Sequence, residues 1–196
     1  MVFCVDKRRL LLYKIMNNKI KTNTLFGILP FLTLENKIDV IVGVVHLKHL
    51  KSTLRVLRDF SLSQYKVLSA ISVVDYPSRK LRFEVAYELL SLRFNHRFRL
   101  KTYGDEKLHL ESVEDLYSCA NWWEREAYDM FGVFFSGHSD LRRLLSDYGF
   151  DGHPLRKDFP LSGYLDLRYD DLFKKVVYDN LRIDQAYRQF TYKTYG

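Results

Sequence analysis

Leu81, Phe83, Val85, Tyr87 and Leu89 alternate with Arg82, Glu84, Ala86 and Glu88. This two-residue period is the clearest in the chain and predicts a strand with one apolar and one polar face. Arg93–Lys101 alternates as well, with Phe94, Phe98 and Leu100 on one side and Arg93, Arg97, Arg99 and Lys101 on the other. Lys66–Val74 reads as a strand before them, and Asp75-Tyr76-Pro77-Ser78 as the turn between. Three strands with short links predict an antiparallel meander with one polar face. Upstream, Ile38–Val45 reads as a short buried strand. Leu47, Leu50, Leu54 and Leu57 then fall on one stripe at helical spacing, predicting a helix over His46–Phe60 with Lys48, Lys51, Arg55 and Arg58 off the stripe. Ser112-Val-Glu-Asp115 has the capping-box pattern and predicts a helix running to about Met130. Leu116, Cys119, Ala120, Trp123, Ala127 and Met130 would line its inner face, and Gly132 would end it.

After Phe135 the texture changes. Asp140–Leu145 is a short helical candidate, and otherwise no long periodic stretch appears, yet aromatics recur from Tyr148 to Tyr195. Rings at this density are not left in water, and some 60 residues of weak regular structure do not sit easily inside a compact domain. An extended arm that buries its aromatics on another protein resolves the conflict, since such a chain reaches about 3.3–3.6 Å per residue. The expected class is α+β: a small mixed or antiparallel sheet with packed helices, followed by an extended C-terminal arm. The divisions are a basic N-terminal extension (1–34), an α+β domain (35–135) and a partner-binding arm (136–196).

The 196 residues are 47% hydrophobic and 28% charged, as in an ordinary folded protein. No apolar run approaches the roughly 20 residues of a membrane-spanning helix. The two cysteines, Cys4 and Cys119, are too few for a disulfide scaffold, a zinc ribbon or a four-thiolate iron–sulfur site. The net charge of +7 is concentrated at the start, where Lys7, Arg8, Arg9, Lys14, Lys19 and Lys21 face only Asp6. Such a tail contacts a polyanion or is simply solvated or docked on a partner; the second reading is the commoner. It lacks the serines of an organelle transit peptide and the apolar run of a secretory signal.

Trp122–Asp129 is the densest charged cluster. On a helix Arg125 and Asp129 can pair, and Glu126 and Asp129 could share a metal or a proton; a charge-satisfied structural core is the stronger reading. His138 and His153 lie among Asp140, Asp147, Asp151 and Asp158, but the spacing matches no ligand signature. Gly137-His138 and His153-Pro154 read better as turns whose imidazoles bond backbone carbonyls. Asp140-Leu141-Arg142-Arg143 and Leu155-Arg156-Lys157-Asp158 mix charges with apolar anchors, which suits bidentate pairs across an interface. Arg97, Arg99 and Lys101 would hold phosphate or, more simply, stay solvated. No nucleotide-binding glycine loop, zinc-protease motif or serine-nucleophile motif is present.

The run Glu124-Arg125-Glu126, Asp129-Met130-Phe131-Gly132, His138-Ser139-Asp140-Leu141-Arg142-Arg143, Asp147-Tyr148-Gly149-Phe150 and Gly152-His153-Pro154-Leu155-Arg156-Lys157-Asp158-Phe159-Pro160 resembles the 30-kDa subunit family of respiratory complex I, NADH:ubiquinone oxidoreductase. Asp75–Lys80, Arg82–Val85 and Ala120–Trp123 extend the resemblance, which covers about residues 35–175. Ser139 stands where the family usually has proline. Near Tyr178–Leu181 the family's acidic residue followed by proline is missing.

The resemblance implies a non-catalytic subunit of the peripheral arm of a proton-translocating NADH dehydrogenase. It would carry no cofactor or metal of its own, with FMN and iron–sulfur clusters in partner subunits. It would dock to the quinone-site subunit of the 49-kDa type in a hetero-oligomer. It would lie on the matrix side of the mitochondrial inner membrane, or on the cytoplasmic face of a bacterial one, and bind no nucleic acid. The signature residues would hold the fold and its interfaces. Two rivals from other classes are an RNA-binding module using the basic tail and the Arg97–Lys101 face, and a metal-assisted hydrolase using Glu126, Asp129 and His138.

Overall fold

The meander predicted by alternation is the centre of the molecule. A computed structural model of the chain describes residues 29, 32–36, 40–107, 109–182, 188 and 190. Strands β3 (Val67–Asp75), β4 (Phe83–Ser91) and β5 (His96–Gly104) pair antiparallel in sequence. β1 (Thr33–Asn36) and β2 (Ile41–Val44) complete a five-stranded sheet in the order β1-β2-β5-β4-β3, with β2 parallel to β5. The sheet is therefore mixed, as an α+β fold requires when a helix returns the chain to the same sheet.

One face of the sheet carries Phe83, Val85, Tyr87, Leu89, Phe98 and Leu100, all buried. Helix α1 (Leu50–Asp59) contributes Leu50, Leu54 and Leu57 to this core, each fully buried. The predicted helix start at His46 is a single 3-10 turn over Leu47–His49, which His46 caps through its ring by accepting from the Lys48 amide at 3.4 Å. Gly43 is a strand glycine for a steric reason. A Cβ there would lie 2.7 Å from Cζ of Phe98, so only glycine lets that ring pack under β2.

The polar face of the sheet is not simply solvated. Glu88 accepts from its cross-strand neighbour Arg99, and Glu84 accepts from Lys101 and from Arg79. Arg97, the third of the predicted basic residues, is exposed and bonds no carboxylate among the described residues. Opposite charges facing across strands stabilise the pairing, and they lower the positive potential of this face.

Helix α2 is Ala120–Phe131 and packs along β3. The capping box at Ser112–Asp115 does not start it. Residues 114–119 form turns, and Cys119 is an exposed residue at the helix start rather than an inner-face one. The Ser112 oxygen does accept the Glu114 amide, at 3.3 Å, but this opens only a turn, while its hydroxyl and the Val113 amide donate to Glu124 and tie the segment to the helix side. Gly132 ends α2 as predicted, in the left-handed region at φ 75°. The short strands β6 (His109–Glu111) and β7 (Phe134–Ser136) pair parallel beside it.

Two boundaries differ from the expected ones. Leu29 and Leu32 are buried in the core and β1 begins at Thr33, so the domain starts before residue 35; residues 1–28 lie outside those described. The chain divides into compact units between Lys157 and Asp158, not at residue 136. Residues 136–157 belong to the first unit because their backbone is bonded to α2 and β3. The second unit contains a hairpin of β8 (Leu165–Asp170) and β9 (Lys175–Asn180), where an extended arm was expected.

Candidate functional site

Helix α2 presents two buried carboxylates, Glu124 and Asp129, both with fully buried side chains. They are handled differently. Glu124 accepts from the Ser112 hydroxyl at 2.6 Å and the Val113 amide at 2.9 Å, which ties the helix to the segment before it. Burial pushes its carboxyl above the usual range, and those two donors only partly offset that. His138 Nε2 lies 3.9 Å away, but the ring is already committed. Its Nδ1 accepts from the Asp140 amide at 3.1 Å, so the proton sits on Nε2 and is donated to the Asn121 carbonyl at 3.1 Å.

Asp129 sits in a nest. The amides of Leu144, Leu145 and Ser146 donate to Oδ2 at 3.2, 2.6 and 2.8 Å, the Ser146 hydroxyl donates to Oδ1, and Arg143 donates to Oδ1 at 3.1 Å. Burial alone would raise its carboxyl. The Ser146 hydroxyl and the three amides outweigh burial and bring it down to about 2. This nest also explains why Asp140–Leu145 is not a helix: three consecutive amides point at one side-chain oxygen instead of at carbonyls four residues back. The Arg125–Asp129 pair expected on the helix does not form. Asp129 takes Arg143, while Arg125 donates to the Arg142 carbonyl at 3.4 Å and lies over the Trp122 ring. Glu126, half-buried, takes part in none of these bonds.

The second signature block is stitched to the first unit's own sheet. His153 Nδ1 donates to the Asp129 carbonyl at 2.9 Å, as the turn reading expected for both histidines. The Leu155 amide reaches the Met130 carbonyl at 3.1 Å, and Arg156 donates to the Phe131 carbonyl at 2.6 Å while stacking over Phe83. Arg82 grips Asp75 through two bonds of 2.6 and 2.8 Å, and the Lys157 amide adds a third donor to Asp75 at 2.8 Å. Arg82 and Arg156 also reach Glu106. Asp75 is therefore held below the ordinary carboxylate range, chiefly by Arg82.

The signature thus divides. Glu124, Arg125, Asp129, Gly132, His138, Arg143, Gly152, His153 and Arg156 hold the fold, and Leu141 packs against the core. Asp140 and Arg142 pair with each other at 2.8 Å on the surface. Pro154 is half-buried, Leu155 is exposed, and Asp147, Gly149, Lys157 and Asp158 are exposed. No three of the described His, Cys, Asp or Glu residues cluster as metal ligands, and no described helix is long and apolar enough to cross a membrane.

Residues 44–165 match the family model described as the 30-kDa subunit of respiratory-chain NADH dehydrogenase. The chain belongs to that family. It is 55% identical to NADH-ubiquinone oxidoreductase subunit 9 of Prototheca wickerhamii over 150 residues, 76% of this chain and 78% of that one. It is 52% identical to NADH dehydrogenase [ubiquinone] iron-sulfur protein 3, mitochondrial, of Candida albicans over 71% of this chain. That match spans 50% of the longer Candida protein. Among solved structures it resembles the trypsin-resistant fragment (1-134) of Nqo5, with a TM-score of 0.50 and 28% identity over 67% of this chain and 99% of the fragment. Membership makes this chain a subunit of NADH-ubiquinone oxidoreductase with an α+β body.

The hairpin was not foreseen, although Leu165, Leu167 and Tyr169 alternate with Asp166, Arg168 and Asp170, the same signal that identified β4. Its register sets Leu167 opposite Tyr178 and Tyr169 opposite Val176. With Leu165 these form one apolar face, and every one of the five is 55–59% exposed.

Proposed function

We propose that this member of the 30-kDa family is a structural, non-catalytic subunit of the peripheral arm of respiratory complex I. In this reading it lies on the matrix side of the mitochondrial inner membrane and docks to the quinone-site subunit of the 49-kDa type. FMN and the iron–sulfur clusters reside in partner subunits. Its work is positional: it holds neighbours in register so that electron transfer from NADH to ubiquinone proceeds over fixed distances.

The observation that carries this reading is the apolar face of the β8–β9 hairpin. An isolated two-stranded hairpin is marginal in water, and a face of two leucines, two tyrosines and a valine gains roughly 1 kcal/mol per half-exposed side chain when covered. Leu161, Leu172 and Phe173 of the same unit add further exposed apolar surface.

The test is to place Leu167→Asp and Tyr178→Asp in the full chain, in a host lacking its own copy. Incorporation into the enzyme is then followed on native gels, together with NADH-dependent quinone reduction. Loss of incorporation with an unchanged melting temperature of the free chain is expected. Normal assembly and activity of both variants would overturn the docking role.

A further inference from the structure

The loop that wraps Asp129 displays two large apolar side chains to the outside. Leu145 is 62% exposed and Tyr148 is 100% exposed, so the tyrosine ring contributes nothing to packing within the chain. The backbone beneath them is unusually well held. Leu145 and Ser146 are fixed by their amides on Asp129, and the Phe150 amide closes a turn on the Asp147 carbonyl at 3.1 Å. A single guanidinium, Arg143, reaches Asp129 at one end of the loop and the Gly152 carbonyl at 3.0 Å at the other.

A loop tied at both ends has already lost its conformational entropy on folding. Side chains it projects can therefore bind without a further cost of ordering the backbone. Tyrosine is among the side chains most enriched at the energetic centres of interfaces, because its large rigid ring is worth burying. We infer that residues 144–152 form a preformed knob that seats Tyr148 and Leu145 in an apolar pocket with a basic rim on a neighbouring subunit of the complex.

The basic rim follows from the flanks. Asp147 and Asp151 lie exposed on either side of Tyr148, and the Asp147 carboxylate accepts the Tyr148 amide at 2.8 Å, which keeps it beside the ring. The same two carboxylates argue against other occupants. They repel an anionic membrane surface, and a two-fold contact between copies of this chain would set them against themselves. The knob belongs to the first unit and the hairpin to the second, so the inference adds a separate contact. It rests on the proposed role as a docked subunit.

The experiment uses the full chain in the assembled enzyme. Tyr148→Ala should cut incorporation by about thirtyfold, the loss expected for an interface anchor. Tyr148→Phe should retain it, since the ring and not the hydroxyl fills the pocket. The melting temperature of the free chain should be the same for all three. Tyr148→p-benzoylphenylalanine, irradiated in the purified complex, should crosslink to a different subunit.

A crosslink to a second copy of this chain, or none, overturns the inference, as does a lowered melting temperature for Tyr148→Ala, which would mean the ring packs internally. Failure of Tyr148→Phe would overturn the apolar character of the pocket. If Tyr148→Ala assembles normally while Leu167→Asp does not, the knob is wrong and the docked subunit stands. If both assemble normally, both readings fall.

Discussion

Arg143 donates to Asp129 across 14 residues of chain at 3.1 Å, and this pair helps fix helix α2 to the loop that follows it. The carboxylate gives the loop amides an acceptor, and the guanidinium gives the carboxylate a countercharge. Removing Arg143 takes the countercharge from a fully buried carboxylate, and removing Asp129 leaves a half-buried guanidinium and three amides without their acceptor.

The first prediction concerns acid. Asp129 has an ordinary carboxyl value of 3.8 and is brought to about 2 in the fold, so its contribution is present above about 3.8 and lost as pH falls toward 2. The shift corresponds to about 2 kcal/mol of stability at neutral pH. Chemical denaturation of the full chain at several pH values should show this slope, and Asp129→Asn should remove it. Asp129→Ala should cost about 3–5 kcal/mol at pH 7, because Arg143 and three amides lose their acceptor.

A second prediction separates charge from geometry at Asp75. Arg82→Lys keeps the positive charge but cannot make the two parallel bonds, and should cost about 1–2 kcal/mol. Asp75 is held low mainly by Arg82, so the stability it supplies is also lost on acidification below the ordinary carboxylate range. With Lys in place of Arg82 the carboxyl is held less far down, so that acid-dependent loss should be smaller. Hydrogen exchange at the Lys157 amide, which donates to the same carboxylate, reports the loosening directly.

What the sequence revealed and what it hid follow one physical line. β4, β5 and α1 were legible because their signals are local: Phe83–Leu89 repeats at two, Leu50, Leu54 and Leu57 at helical spacing. Gly132 was legible because a helix end favours a left-handed residue wherever it occurs. Ser112 misled because its local bond to the Glu114 amide does form, yet closes only a turn, and the tie to Glu124 that holds this segment depends on the fold. Asp140–Leu145 misled for the same reason, its amides being drawn to a residue more than a dozen positions upstream. The resemblance located the signature block, yet it could not separate Asp129, which is buried, from Tyr148, which is fully exposed. That division depends on contacts between segments distant in sequence.

Gly132→Ala is the third prediction. The position has φ 75°, and a Cβ there would meet Arg156 Nη2 at 2.5 Å and His153 Nε2 at 2.6 Å. Backbone strain costs about 1–3 kcal/mol, and displacing Arg156 from the Phe131 carbonyl adds to it. A fall in melting temperature is expected, with increased exchange over residues 153–157. Gly104→Ala is the control: nothing lies within 4 Å of the added methyl, and its effect should stay within about 0.5 kcal/mol.

The last prediction tests the opposite sign at Glu124. Burial raises this carboxyl, so the stability it supplies is greatest below the ordinary carboxylate range and declines as pH rises through the raised value. Glu124 and Asp129 therefore pull the pH profile in opposing directions, although they are five residues apart on one helix. Glu124→Gln keeps an oxygen for the Val113 amide and presents its NH2 to Ser112, whose hydroxyl oxygen accepts as readily as it donates. The variant should lie within about 1 kcal/mol of the native chain at neutral pH, and lack the native chain's decline with rising pH. Glu124→Ala, which abandons both donors and leaves a void, should cost about 3 kcal/mol or more. If Glu124→Gln proves as damaging as Glu124→Ala, the buried group acts as a charge, and no decline will be seen above the carboxylate range.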